Sequence, residues 1–173
     1  MKKLNVRLIK RNVLMISLIM LTAFNSKQSG GDDPSKDRNK IEDKYKWNLA
    51  ELYTDDAGWY ADKALFPEKF EKVKSYKGTI GKSSKELLKG LDYIFSVKKD
   101  LIKLFSYANM LSDEDLRASE PLKMQQEASQ VFSEFSTAAS FVEPEILAIP
   151  KEKLEKFLSE EKKLGDYHQY IDN

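Results

Sequence analysis

Apolar side chains recur in alternating steps of four and three residues over two long stretches of this chain, and no other feature limits its folding choices as much. Leu87, Leu91, Ile94, Leu101, Phe105 and Ala108 form the first series, with Leu88, Phe95 and Ile102 as a second stripe beside it. Met124, Ala128, Val131, Phe135, Ala138 and Val142 form the second series. At 3.6 residues per turn each series lines one face of a helix, and such a face must be buried. Ser83 or Ser84 is placed to cap the first helix, with Glu86 in its first turn. The two helices are expected to pack as an antiparallel pair joined near Ser112 to Ser119.

Shorter helices flank the pair. Asp55 or Asp56 caps a segment running toward Tyr76, with Trp59, Phe66, Phe70 and Val73 on one side. Pro67 must kink or restart it, because proline has no backbone N–H to donate. Glu143-Pro144 is expected to bend or end the second long helix, and Pro150 to open a further helix through Leu154, Phe157 and Leu158. Leu164 to Asn173 begins another helical turn. No stretch alternates with period two, and valine and isoleucine are sparse, so no strand is expected and the fold class is all-α.

The front of the chain is different in kind. Lys2, Lys3, Arg7, Lys10 and Arg11 precede Val13 to Phe24, a continuous apolar run, which is the layout of an export signal. That run is about twelve residues, and a spanning helix needs about twenty. Leu21-Thr22-Ala23 looks like the start of a lipoprotein signal, but Phe24 stands where the lipidated cysteine belongs. Residues 1–24 therefore read as a signal peptide or an uncleaved membrane anchor, giving an exported protein of the bacterial envelope, periplasm or exterior, or one held at the membrane. Asn25 to Asn39 is polar and holds Gly30, Gly31 and Pro34. Asn25 to Asn39 has no large apolar group to offset ordering entropy, and residues 25–44 read as a flexible linker. The remaining segment, 45–173, is the helical domain. The net charge is +1, and since five cations precede residue 12, everything after carries −4. That balance excludes nucleic acid as a partner.

Chemistry-bearing residues are few. There is no cysteine, and His168 is the sole histidine. A histidine- or thiolate-based metal site cannot be assembled from such a set. Gly81-Lys82-Ser83 resembles the end of a phosphate-binding loop, but Tyr76 occupies the place of that loop's first glycine, and a helix leads in where a strand is required. The structural reading is that Gly78 ends one helix, Gly81 turns the chain and Ser83 starts the next. Asp113, Glu114 and Asp115 lack the glycine and closing glutamate of a calcium loop and read as an inter-helix turn with acids at a helix start. His168, between Tyr167 and Tyr170, reads as a surface or edge residue. No residue is assigned a catalytic, cofactor-binding or metal-binding role.

The most specific stretch is Tyr45-Lys46-Trp47-Asn48-Leu49-Ala50-Glu51-Leu52-Tyr53, which resembles the opening of the oligoendopeptidase F branch of the thimet-type zinc metallopeptidases. The likeness continues through Trp59, Ser75-Tyr76-Lys77-Gly78-Thr79-Ile80-Gly81, Tyr107 with Ser112-Asp113-Glu114-Asp115, and Ser140-Phe141-Val142-Glu143-Pro144-Glu145-Ile146-Leu147, covering about Tyr45 to Asn173. The resemblance implies an amino-terminal helical region that helps wall the channel of a peptidase acting on short peptides. Zinc in that family is held by a His-Glu-x-x-His helix and a downstream glutamate. Those residues are not in this sequence, so zinc belongs to the full-length family rather than to this chain.

The expected function is that of a non-catalytic helical domain, inactive alone, whose partner is the missing catalytic domain. The rival expectation is a stand-alone membrane-tethered module binding a peptide or partner helix. A domain shaped to pack on a missing neighbour should show an uncovered apolar patch and be marginal or self-associating.

Overall fold

The computed structural model describes residues 42–45, 47–114 and 116–171. The leader and nearly all of the linker lie outside the described residues, as does Asp115. From Asp43 on, the chain forms a unit of its own. Its elements are 3-10 turns at Asp43–Tyr45 and Leu49–Glu51, then α1 (Asp56–Ala64), α2 (Phe66–Lys74), α3 (Ser84–Glu114) and α4 (Ser119–Ala138). After these come α5 (Val142–Leu147), α6 (Lys151–Glu160), a 3-10 segment at Lys162–Tyr167 and α7 (His168–Ile171). The architecture is all-α, with no strand among the described residues.

α3 is the spine. At 31 residues it is about 46 Å long. Ser83 starts it, its hydroxyl accepting the Glu86 N–H at 3.2 Å. Leu87, Leu91, Ile94, Leu101 and Ala108 are all buried, and α4 packs back along α3 with Met124, Ala128, Val131, Phe135 and Ala138 buried in turn. The expected hairpin therefore forms, and its connection is shorter than the sequence implied, ending where α4 begins at Ser119.

α1 and α2 lie across one face of that hairpin. Asp55 caps α1 by accepting the Gly58 N–H at 2.8 Å. Truncating it, Asp55→Ala, is expected to cost about 1 kcal/mol of stability, read by urea unfolding. Trp59 is fully buried and donates its indole N–H to the Leu104 carbonyl at 2.8 Å. The helix breaks at Leu65 and restarts with Pro67 in the first turn of α2, where an absent N–H costs nothing. Phe66, Phe70 and Val73 continue the buried side.

Three expectations need correction. The second long helix ends at Ala138, before Glu143-Pro144, and Pro144 sits in the first turn of the separate helix α5. The four-and-three rhythm runs on to Val142 because Ala139 and Phe141 keep nearly helical angles through the turn, so Val142 stays in phase and is buried although it belongs to the next helix. Asp113 and Glu114 close α3 rather than open a helix. The second stripe on α3 is only partly core: Leu88 and Phe95 are half-buried and Ile102 is 49% exposed.

Candidate interaction face

The residues that carry the family resemblance meet one another at the joints between helices. Tyr53, closing the nonamer, packs edge-on against Tyr107 with ring centroids 5.3 Å apart. The Tyr107 hydroxyl donates to Asp56 Oδ1 at 2.8 Å, tying α3 to the start of α1. Gly78, at φ +76°, turns the chain between α2 and α3 in the left-handed region that favours glycine. Its N–H donates to Glu145 Oε1 at 2.6 Å, joining two motifs 67 positions apart. Lys153 Nζ reaches the Gly81 carbonyl at 2.7 Å from α6. Removing the acceptor, Glu145→Ala, is expected to lower stability by about 1 kcal/mol in a denaturant titration. Nothing in residue spacing predicts these partners, because each lies far away along the chain.

Gly81-Lys82-Ser83 is thus a turn between helices, with its backbone engaged by Lys153 and its serine used as a cap. His168 is exposed at the start of α7. Among the described residues no three His, Cys, Asp or Glu side chains are grouped to hold a metal ion, and no helix is long and apolar enough to cross a membrane. Tyr45 and Trp47 of the nonamer are exposed, at 72% and 50%. A shallow groove of about 510 Å³ between α2 and α4 is lined by Phe70, Glu71, Lys74 and Glu134 among others.

The hairpin has two broad faces. On the inner one, Asp100 meets Lys69 at 2.6 Å and Leu104 meets Trp59. From α4, Glu127 holds Lys63 at 2.6 Å and Phe135 packs near Phe70. On the outer face, Phe105 of α3 and Phe132 of α4 lie 6.0 Å apart, flanked by a hydrogen bond from Gln125 Nε2 to Asn109 Oδ1 at 2.5 Å. The start of this outer face is covered, since Phe95 packs against Tyr167 and Tyr170 at 5.1 Å each. Beyond Phe95 the cover stops. Ile102, Leu122 and Phe132 are 49%, 44% and 37% exposed along this face, and of these Ile102 belongs to the stripe that the spacing assigned to core.

The comparisons with known proteins agree on one group. The chain is 31% identical over 134 residues, 77% of its length, to the plasmid-encoded oligoendopeptidase F of Lactococcus lactis subsp. cremoris. It is 28% identical over 138 residues, 80% of its length, to the group B oligopeptidase PepB of Streptococcus agalactiae. Oligopeptidase PepF of Bacillus subtilis is 28% identical over 136 residues, 79% of the chain. Among solved structures, oligoendopeptidase-F from Enterococcus faecium superposes with a TM-score of 0.62 at 25% identity, over 68% of this chain and 23% of that one. A chain from Chlamydophila abortus, 24% identical, shares the fold at a TM-score of 0.66 over 78% of this chain and 23% of its own. No family model matches. The chain spans only 20–23% of the length of these three sequence relatives. Its helical region is a homologue of oligoendopeptidase F, matched over about a fifth of that peptidase's length.

Proposed function

We propose that this helical domain is the amino-terminal, non-catalytic part of an oligoendopeptidase F-like zinc metallopeptidase that cuts short peptides, with zinc and the hydrolytic residues carried by a segment outside this sequence. The observation that carries the reading is the pairing of an ordered set of family motifs with coverage of only about a fifth of each relative. The zinc that the resemblance implies does not fit the residues present: a catalytic site takes about three protein ligands, and the sequence offers one histidine and no cysteine. No step of hydrolysis is therefore assigned to any residue of this chain. Its part is structural, holding a helical layer against the remainder of the peptidase.

Purified chain with added zinc is expected to leave an unstructured peptide uncut relative to a metal-free control. Tightly held stoichiometric zinc with turnover to match would overturn the reading. The gene read beyond codon 173 should continue in frame to a His-Glu-x-x-His helix, and a stop there in every close relative would favour a stand-alone binding module. The same proposal has residues 1–24 export or anchor the protein, supported by five cations ahead of an apolar run. Cell fractionation tests this, and a protein found wholly in the cytosol would reject it.

A further inference from the structure

We propose that the uncovered half of the outer hairpin face, built by Ile102, Phe105, Leu122 and Phe132, is the seat of the polypeptide that follows Ile171 in the full-length peptidase; this rests on the function proposed above. The patch is a continuation of an interface that the chain has already begun to build. Phe95, Ile102 and Asn109 are seven residues apart and share one stripe of α3. The 3-10 segment and α7 cover the first of these positions through Tyr167 and Tyr170, and Ile171 is itself buried. The backbone is thus led onto the outer face at Phe95, about 10 Å along the helix from Ile102.

The chemistry of the patch selects the kind of cover. Phe105 and Phe132 meet across the two helices, and the one polar pair beside them, Asn109 and Gln125, is satisfied internally. The residues of the patch are all uncharged, whereas the inner face is fixed to α1 and α2 by Lys63–Glu127 and Lys69–Asp100. An apolar helix or loop of the following segment suits such a surface; a charged partner does not. The relatives supply enough chain, since about four-fifths of their length lies outside the match.

The absence of cysteine makes the test direct. Single thiols are introduced as Phe132→Cys and Ile102→Cys on the outer face and Glu71→Cys at an exposed position of α2, and maleimide labelling at each position is followed by peptide mass spectrometry. The rates are compared in the chain alone and in a chimaera in which it is followed by the unmatched part of the Lactococcus lactis relative. Positions 132 and 102 should label at least tenfold more slowly in a monomeric chimaera, with position 71 unchanged. Equal rates in both proteins, protection at 71 instead, or protection that disappears on dilution, as a second copy would give, overturns the docking. A parallel chimaera with the Bacillus subtilis relative keeps one misfolded fusion from deciding the result. Peptide hydrolysis separates the two claims. A chimaera that is protected yet inactive counts against the proposed function alone, and an active one with open outer-face thiols counts against the docking alone.

Discussion

Trp59→Ala should lower the unfolding free energy of this domain by about 3–5 kcal/mol, the range expected when a large buried aromatic is cut back to a methyl. Trp59 is wholly buried, its ring packs edge-on against Tyr60 at 4.9 Å, and its indole N–H donates to Leu104 at 2.8 Å across 45 positions of sequence. Truncation therefore opens a cavity between α1 and α3 and removes a side-chain donor from the Leu104 carbonyl. Such a loss is a large share of the total stability of a domain this size. Trp59→Phe restores much of the volume but not the donor, so it should fall between wild type and alanine. Urea unfolding followed by far-ultraviolet circular dichroism measures all three, and an alanine variant within 1 kcal/mol of wild type would refute the assigned role.

Alkaline pH should have the second large effect. Burial first, then a hydrogen bond to Asp62 and its charge, holds the Tyr53 hydroxyl well above the usual phenol range. Burial, then the bond to Asp56, does the same for Tyr107. Tyr167 is pushed up to about 12 by burial and Asp92. In the unfolded chain all three ionise near 10. A proton kept by the folded state and lost by the unfolded one makes stability fall as pH rises. The tyrosine contribution is thus fully present below pH ~10 and disappears as pH climbs through the folded values. Between those limits each tyrosine contributes a slope of about 1.4 kcal/mol per pH unit. Tyr107→Phe should remove one tyrosine's share of that slope, measured by denaturant midpoints from pH 8 to 11.5. An unchanged slope would mean that Tyr107 is not titrating as its burial requires.

Local rules were legible in the sequence. The caps at Asp55 and Ser83, the restart at Pro67 and the buried series on α3 and α4 all follow from side-chain spacing and backbone preference, and the structure has them; Gly78, expected to end a helix, instead makes the left-handed turn after α2 has stopped at Lys74. What spacing cannot carry is whether a turn interrupts a rhythm without shifting its phase. At Ala139 to Phe141 it does so, and the second long helix was read one segment too long. Spacing is equally silent on which apolar stripe receives a cover. Phe95 and Ile102 are equivalent by pattern, but only Phe95 has Tyr167 and Tyr170 against it. The family likeness was legible too, yet its most specific residues proved to be joints such as Gly78 with Glu145. These hold the framework together.

Because α1, α2, α4, α6 and both neighbouring 3-10 segments rest on α3, that helix works as the ruler against which every other piece is aligned. One residue added between Asp100 and Tyr107 would rotate everything beyond it by about 100° and advance it by about 1.5 Å. Tyr107 would swing away from Asp56 while Asp100 stayed with Lys69, so the layer could no longer close at both ends. Changes of length are therefore forbidden along the 31 residues of α3.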